Sequence, residues 1–297
     1  MRSITLEKWS DIKVPEASAY PAAVTRDHRV LLIEEDLHQF NGVDLRTHRG
    51  DYVVKIIDGN EVTQFTATDF PFVPDRLDLF SDGTVLLVSS ICWREDGWVQ
   101  KNARRYSTDG ECLDEFVLGT GLSALSIDDE DTIWVGYHEE GVFGNHGWDH
   151  NPVGSAGLVA FSKDGQIRWE ARKYDVFECK ALNVQDASDV YFHYTLCSWL
   201  VHLDHFKEIR RYKIETPAYI PQLMMLDSET MMTAEYQSDY VRHLTYENGM
   251  FVTRECFKMV DQSGHALSGK VIMRGNELFV FTETGIYKKN LTLDLLK

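Results

Sequence analysis

The chain has 297 residues, of which 43% are hydrophobic and 26% charged, as in an ordinary water-soluble globular protein. Asp and Glu number 47 against 30 for Lys and Arg, so the formal net charge is −17 at pH 7. Such a field repels phosphate backbones and anionic lipids, which argues against nucleic acid and membrane partners. No apolar run approaches the ~20 residues of a membrane-spanning helix.

The N-terminal residues from Ser3 to Trp9 alternate between polar and apolar side chains, so they predict a strand rather than a secretion signal. The five cysteines include no Cys-x-x-Cys pair, and most of them lie in apolar runs. A thiol in such a run behaves as a small hydrophobic group. The sequence therefore predicts a cytoplasmic protein with reduced thiols.

A unit of roughly 40–55 residues repeats about six times along the chain. Each unit contains an apolar run, a polar turn, a second apolar run, a variable loop and a hairpin. Asp-Gly and Asn-Gly suit the two-residue loop of a hairpin. The clearest hairpin turns are Asp58-Gly59, Asp109-Gly110, Asp164-Gly165 and Asn248-Gly249. A repeat of this period, built only from strands, is typical of the blades of a β-propeller.

The second apolar run of each unit is continuously apolar over about four residues, which indicates a strand buried on both faces. The six runs begin at Val30, Val85, Ile133, Val190, Met231 and Leu278. We therefore expect one all-β domain spanning residues 1–297, a β-propeller of six four-stranded blades. The last unit supplies only three strands, so we expect the N-terminal strand to complete it and remove the open edge.

The loop between the second and third strands is long only in the first three units. These loops run from Leu37 to Gly50, from Trp93 to Lys101 and from Glu139 to Ala156. Binding residues favour loops on a rigid scaffold. We therefore expect the functional site on the face of the propeller that carries these three long loops.

The third long loop, with the two residues before it, is rich in polar and aromatic side chains. Its candidates for ligand contact are Tyr137, His138, Glu139, Asn145, His146 and Trp148. Trp148 and other loop aromatics would either stack on a flat ligand or merely cover the channel. A direct ligand contact and plain loop structure both stay open for this segment.

The same loop also offers a possible set of metal ligands. His138, Glu139, His146 and His150 supply the nitrogen and oxygen donors that Zn²⁺ or a similar ion accepts. The several glycines of this loop argue against a helix, so His146 and His150 are not expected to share a helix face. A divalent cation is therefore a possibility here and not a prediction.

Further polar and aromatic residues fall at the same rim in other units. Glu34 and Asp36 would share one face of a strand, and two close carboxylates favour cation binding or acid–base chemistry. A solvated acidic strand end is the plainer alternative. The other candidates are Arg76, Trp93, Gln222 and Tyr236. Lys180 and Lys270 also fall near the starts of inner strands, and a ring of this composition would hydrogen-bond a small polar ligand.

At the level of the repeat, the chain resembles the broad class of six-bladed β-propellers. This class includes the NHL-type, gluconolactonase-like and low-density-lipoprotein-receptor-type propellers. The segment Glu140–Asn145, followed by Gly157-Leu158-Val159, is similar to a stretch found in uncharacterised bacterial propeller proteins. Resemblance to the gluconolactonase-like enzymes would imply a divalent cation in the central channel. The candidate ligands for that cation are Glu34, Asp78 and Asn183.

The sequence contains no nucleophile elbow, phosphate loop, dinucleotide fingerprint or His-Glu-x-x-His motif. We therefore expect a soluble propeller that binds a small polar ligand or a protein partner on the long-loop face, without catalysis and without an evident cofactor. The alternative is a metal-dependent hydrolase or lactonase with a divalent cation at the channel mouth. A third possibility is an interaction platform that has no pocket.

Overall fold

The computed structural model describes residues 2–14, 20–35, 47–195, 198–215 and 220–296. The chain starts with β1 (Arg2–Thr5) and β2 (Glu7–Ser10). A four-stranded antiparallel sheet follows, made of β3 (Ala22–Val24), β4 (Val30–Ile33), β5 (Arg49–Asp58) and β6 (Glu61–Pro71). The next strands are β7 (Arg76–Leu79), β8 (Val85–Val88), β9 (Arg94–Glu95), β10 (Trp98–Val99), β11 (Ala103–Tyr106) and β12 (Cys112–Phe116). Of these, β9 and β10 form a separate small ribbon, and the other four form a second sheet.

The third sheet contains β13 (Leu122–Ile127), β14 (Ile133–Tyr137), β15 (Leu158–Phe161) and β16 (Ile167–Glu170), with the short helix α1 (Glu139–Phe143) after β14. Two antiparallel groups of four strands then follow. The first group is β17 (Cys179–Asp186), β18 (Asp189–Tyr194), β19 (Trp199–Asp204) and β20 (Lys207–Ile214). The second group is β21 (Gln222–Met225), β22 (Thr230–Ala234), β24 (Tyr240–Glu247) and β25 (Met250–Val260), with β23 (Gln237–Ser238) between β22 and β24 in sequence.

The last sheet contains β26 (Gly269–Arg274), β27 (Glu277–Thr282) and β28 (Gly285–Asn290), with β2 and β23 at its two edges. Single 3-10 turns lie at Arg172–Tyr174 and Leu293–Leu296. No helix in the described ranges has the length and apolar character needed to cross a membrane.

The innermost strands of these groups form a closed ring. Strands β3, β7, β13, β17, β21 and β26 contact one another in that order, and β26 also contacts β3. The fold is therefore all-β and propeller-like, as the repeat predicts. A short parallel pairing of β20 with β25, through Lys213 with Met250 and Ile214 with Phe251, merges two strand groups into one nine-stranded sheet with β1. The sheets thus do not separate into six independent blades, and that count stays a prediction.

The N-terminal segment closes the ring. Strand β2 pairs antiparallel with β28, placing Glu7 opposite Lys288, so the N-terminal strand completes the last sheet. The ring of Trp9 packs edge-on against Phe279, with 5.4 Å between centroids. The segment is split into two strands, however, because β1 leaves this sheet and pairs parallel with β25. Residues 2–10 therefore fasten two neighbouring strand groups together.

The hydrophobic core lies between successive strand groups and not in one central mass. Every residue of β4, β8, β14, β22 and β27 is buried, because each of these strands is covered on both faces. One cluster joins Leu31 and Val54 to Leu77 and Leu87 of the next group. Burying each such side chain stabilises the fold by about 1.5–3 kcal/mol. The ring is thus a rigid scaffold for the side chains that face its centre.

Candidate ligand site in the central channel

The inner strands enclose a cavity of about 370 Å³. Strands β3, β7, β13, β17, β21 and β26 contribute to its wall, and His138 and Tyr236 join it from loops. This volume is near the lower end of the range that holds small ligands. Four of the residues predicted from the sequence line the cavity together: Arg76, His138, Gln222 and Tyr236.

One end of the cavity is closed by the buried side chain of Arg274. Its Nη2 donates a 2.5 Å hydrogen bond to the carbonyl oxygen of Ile127, and its Nη1 donates to the hydroxyl of Ser126. The same Nη1 lies 3.3 Å from Oδ2 of Asp78. Because β26 and β13 lie on opposite sides of the ring, the guanidinium spans the channel. This closure is at the end toward which the inner strands run.

Asp78 is held rigidly by this arrangement. Its Oδ2 accepts a 2.7 Å hydrogen bond from the amide of Ile127, and its Oδ1 accepts one of 2.8 Å from the amide of Leu79. Burial raises the pKa of Asp78, an effect that the charge of Arg274 and the two backbone hydrogen bonds partly oppose. The charges of Asp78 and Arg274 therefore stabilise the fold and are not available to bind a ligand.

Two cations, Arg76 and Lys270, lie where the inner strands begin. Arg76 Nη1 is 3.4 Å from Oδ2 of Asp75 and donates a 2.9 Å hydrogen bond to the Asp75 carbonyl. Lys270 Nζ donates a 2.9 Å hydrogen bond to the carbonyl oxygen of Tyr20. Burial lowers the pKa of Lys270 to about 8, and the nearby charge of Arg76 lowers it as well, while Asp75 raises it.

Neighbouring polar groups at this end hold the other anions in place. Asp75 accepts hydrogen bonds from the amide and the hydroxyl of Ser90, at 2.8 and 2.5 Å. Nδ1 of His138 lies 2.9 Å from Oε1 of Glu178. The same Oε1 is 2.6 Å from Nζ of Lys180. Burial raises the pKa of Glu178, but the hydrogen bonds from Lys180 and His138 outweigh it and lower that pKa overall.

Gln222 and Tyr236 add neutral polar groups to the wall. The side-chain oxygen of Gln222 accepts a 2.8 Å hydrogen bond from the amide of Met273, which fixes the orientation of its amide group. The Gln222 nitrogen is a donor that this bond does not use. Tyr236 is 42% exposed. The cavity wall thus combines three cations and two carboxylates with amide and hydroxyl groups and one histidine.

The second and third long loops interlock instead of opening toward a ligand. Trp148 is buried, and its Nε1 donates a 2.8 Å hydrogen bond to the carbonyl oxygen of Cys92. The guanidinium of Arg94 lies 5.2 Å from the centre of the Trp148 ring. Trp93 packs edge-on against His146, with 4.5 Å between centroids. Of the two alternatives for Trp148, its burial favours a covering role over a stacking face, and Trp93 also contributes to contacts between loops.

Glycines permit this close approach. Gly147 has φ +86°, and a Cβ added there would clash with the carbonyl oxygen of Arg94. The amide of Arg94 in turn donates a 3.0 Å hydrogen bond to the carbonyl oxygen of His146. The two loops therefore form one packed layer beside the channel.

Among the described residues, the others predicted to contact a ligand do not line the central cavity. Tyr137 is fully buried, and its hydroxyl donates a 2.5 Å hydrogen bond to the carbonyl oxygen of Leu118. Glu34 is exposed and forms an ion pair with Lys55. Asn145 is exposed, and its side-chain oxygen accepts a 2.7 Å hydrogen bond from the amide of His146. Asp36 lies outside the described residues.

Glu139 begins helix α1, although the glycine content argued against a helix in this loop. Glu139 and Glu140 lie in its first turn, where carboxylates interact favourably with the positive end of the helix dipole. Gly141 is needed inside the helix because a Cβ there would clash with the carbonyl oxygen of Thr120. His146 and His150 both follow the helix, so they do not share a face of it.

The four residues considered as possible metal ligands do not form a cluster. His138 is paired with Glu178, and Nδ1 of His146 lies 2.9 Å from the hydroxyl of Thr120. In the described parts of the chain, no three His, Cys, Asp or Glu side chains are placed to hold a metal ion. His150 and Glu139 add no further ligand to either group in those parts.

The ligands implied by the gluconolactonase-like resemblance are also engaged elsewhere. Glu34 pairs with Lys55, and Asp78 pairs with Arg274. Nδ2 of Asn183 donates hydrogen bonds to the carbonyl oxygens of Leu223 and Gly275, at 2.7 and 3.0 Å. These residues do not fit a cation site as they stand.

A second cleft, of about 590 Å³, lies between β23 and the turn after β27. Its charged lining is acidic, from Glu235, Asp239 and Glu283. Arg242 approaches Glu235 to 2.6 Å. The cleft has the same sign of charge as the whole chain, and it lacks the ring of converging side chains that marks the central cavity.

Sequence reasoning missed Asp75 and Arg274 as residues of the cavity, whereas Lys270 was expected, like Arg76, near the start of an inner strand. Lys270 and Arg274 lie in β26, whose other residues are glycine or apolar. A charged residue at such a position has to face the channel, since both faces of the blade are packed. That signal was present in the sequence for Arg274 as well.

Fold and cavity together define a propeller-like, all-β protein with a polar central cavity closed at one end. No protein-family model and no curated protein matches the sequence. The chain is similar to the structure of a streptogramin B lyase, with 13% identity, a TM-score of 0.48 and coverage of 97% of this chain and 87% of that chain. It is also similar to the WD40 β-propeller domain of Doa1, with 12% identity, a TM-score of 0.48 and coverage of 97% and 95%.

A third similar structure is a gluconolactonase from Xanthomonas campestris, with 10% identity, a TM-score of 0.43 and coverage of 97% of this chain and 98% of that chain. At these values the likenesses carry no argument about the cavity or its chemistry.

Proposed function

We propose that this protein binds a small polar ligand in the central cavity, which the ligand enters from the face that carries the long loops, and that the protein acts without catalysis. The observation that carries the proposal is the convergence of Arg76, His138, Gln222 and Lys270 on one cavity of about 370 Å³. A small number of polar groups on an otherwise packed wall is typical of a ligand site. Closure of the opposite end by Arg274 leaves the loop face as the entrance.

The pairing of the titratable groups supports a binding role. Asp75 lies beside Arg76, Asp78 beside Arg274, and Glu178 beside His138 and Lys180. The hydrogen bonds from Lys180 and His138 lower the pKa of Glu178, which makes it a weak general base. The ion pairs of Asp75 and Asp78 hold their side chains in place, which suits a wall that orients a ligand.

The test is a thermal-shift and calorimetric screen with sugars, polyols, carboxylates and phosphate esters. Ala124→Phe fills the cavity from β13, and Thr63→Phe on the exposed face of β6 is the matched control. A compound that stabilises the wild type should lose its effect in Ala124→Phe and keep it in Thr63→Phe, provided that both variants melt cooperatively. Binding that survives in folded Ala124→Phe would place the site elsewhere. If no compound binds, a protein partner on the same face becomes the favoured function.

We also infer that the fold has six blades. The ring of inner strands supports this count, as do the apolar clusters between consecutive strand groups, including one that joins Val30 and Leu32 to Phe279 and Phe281. The parallel link between β20 and β25 involves only two residue pairs. An experimental structure in which these strands separate into two four-stranded blades would confirm the count.

A cytoplasmic location remains part of the proposal. Cys92, Cys112, Cys179 and Cys256 are unbridged, and Cys197 lies outside the described residues. Unbridged thiols are usual in a reducing compartment. Fractionation of cells that express the tagged protein would test the location directly.

A further inference from the structure

We infer that the ligand of the central cavity carries an oxyanion, a carboxylate or phosphate group, which Arg76 and Lys270 bind together at the channel mouth. This inference rests on the proposed function and narrows its ligand class. The two side chains lie at the starts of β7 and β26, on either side of β3 in the ring of inner strands.

The first support is the sign of the charge in the cavity. Its lining includes three strong cations, Arg76, Lys270 and Arg274, and two carboxylates, Asp75 and Asp78, so the sum is 3 − 2 = +1 with His138 neutral. The whole chain carries −17. A cavity of opposite sign to its protein concentrates anions locally, because low-dielectric walls focus the field.

The second support is the distribution of that charge along the channel. Arg274 and Asp78 neutralise each other at the closed end, where both are almost fully buried. At the open end, Asp75 is shared between Arg76 and two donors of Ser90. One negative charge therefore faces two cations at the mouth, and the excess positive charge lies where a ligand would enter.

The third support is the environment of Lys270. Its ammonium group has three donors, and one of them bonds the carbonyl oxygen of Tyr20. No carboxylate of the described residues lies within ion-pair distance of its Nζ. A partly buried ammonium without a counter-ion is costly, and repulsion from Arg76 adds to that cost. A bound anion would remove this penalty at both cations.

Arg76 is suited to the same task. Its Nη1 and Nη2 donate to the carbonyl oxygens of Asp75 and Leu122, at 2.9 and 3.4 Å, which orients the plane of the guanidinium. An oriented guanidinium binds a planar carboxylate or a phosphate through paired hydrogen bonds. The neutral part of the ligand would then contact the polar side chains of Gln222, Tyr236 and His138.

The test uses three probes with one carbon skeleton: glycerol, glycerate and glycerol 3-phosphate. Their binding is measured by calorimetry at constant ionic strength, with chloride as the balancing anion. We expect glycerate or glycerol 3-phosphate, or both, to bind at least tenfold more tightly than glycerol. The two anionic probes distinguish a carboxylate site from a phosphate site.

Lys270→Gln should weaken binding of the anionic probe at least tenfold, whereas Lys207→Gln, at an exposed hairpin, removes the same charge without effect. Equal binding of glycerol and its anionic relatives, unchanged by Lys270→Gln, would overturn the anion site and leave the proposed function standing. Ala124→Phe should abolish binding of every probe, because it fills the cavity. It therefore tests the location of the site, whereas Lys270→Gln tests the contribution of the positive charge.

A second measurement detects the bound anion through the reactivity of Lys270 and not through the heat of binding. Acetylation of Lys270 by acetic anhydride, followed by mass spectrometry, reports whether its amine is covered. Inorganic phosphate or glycerate should slow acetylation of Lys270 severalfold and leave that of Lys207 unchanged. Equal rates at Lys270 with and without every anion tested would refute the inference.

Discussion

Arg274 and Asp78 form an ion pair inside the channel, with 3.3 Å between Nη1 and Oδ2, although a third strand separates β26 from β7 in the ring. The same guanidinium reaches the backbone of Ile127 in β13. One side chain thus links the last strand group to the second and the third. The pair connects parts of the fold that share no sheet.

Removal of either partner should destabilise the protein strongly. Asp78→Asn leaves Arg274 buried with its charge uncompensated, and Arg274→Met does the same for Asp78. We expect each change to lower the free energy of unfolding by about 3–5 kcal/mol, measured by urea denaturation. The double variant should lose less than the sum of the two.

Arg172→Met is the control for the ion pair, because Arg172 is 65% exposed in its pair with Glu170. Exposed pairs contribute about 0–1 kcal/mol, so this change should be small. Strictly additive losses in the Asp78 and Arg274 variants would contradict a direct energetic link between the two side chains.

Lys270 should make stability rise with pH in the alkaline range. Its pKa is about 8 in the folded protein against 10.5 when unperturbed, so the unfolded chain binds more protons between these values. Stability therefore rises with pH from about 8 to about 10.5 by linkage. Lys270→Met should lack this component, as measured by denaturation at pH 7.5, 9 and 10.5. Identical pH slopes for the variant and the wild type would show that the Lys270 ammonium is well solvated.

His193 should contribute to acid sensitivity. It is buried in β18, and burial together with the charge of Lys180 lowers its pKa to about 4 from 6.5. The folded state then holds a neutral imidazole, so its stability is full above pH 6.5 and falls as the pH drops toward 4. His193→Gln should flatten the stability profile between pH 4 and 6.5, whereas exposed His150→Gln should leave it unchanged. A profile unaltered by His193→Gln would mean that His193 titrates normally.

Deletion of residues 1–10 should abolish cooperative thermal unfolding or solubility. It removes β1 and β2, which leaves β28 as an open edge and uncovers Phe279. Differential scanning calorimetry and size-exclusion chromatography would detect the loss. Glu7→Gln, an exposed change within the same strand, should behave as the wild type. A truncated protein with an unchanged melting transition would show that the closure by β2 is dispensable.

The strands could be predicted because their signals are local. Continuous apolar runs such as Val30–Ile33 and Asp-Gly turns such as Asp58-Gly59 depend on a few neighbouring residues. Arg76 and Gln222 were placed at the channel mouth for the same reason, since each begins an inner strand. The position of these two residues within the repeat was enough to predict that their side chains face the channel.

The packing of the loops could not be predicted in this way. Whether Trp148 faces a ligand or another loop depends on Cys92 and Arg94, more than 50 residues earlier in the chain. The composition of the two loops does not predict that they are in contact. The separation of His138 from His146 has the same origin, because each finds its partner outside the loop, in Glu178 and Thr120.

The pairing of β2 with β28 also constrains how the protein is made. Glu7 lies opposite Lys288, a separation of 288 − 7 = 281 residues along the chain. During synthesis on the ribosome, β2 must wait for its partner until the residues between Glu7 and Lys288 have emerged. Contacts of such long range form slowly, so ring closure is expected to be the last step of folding. Until then, β2 remains accessible to chaperones.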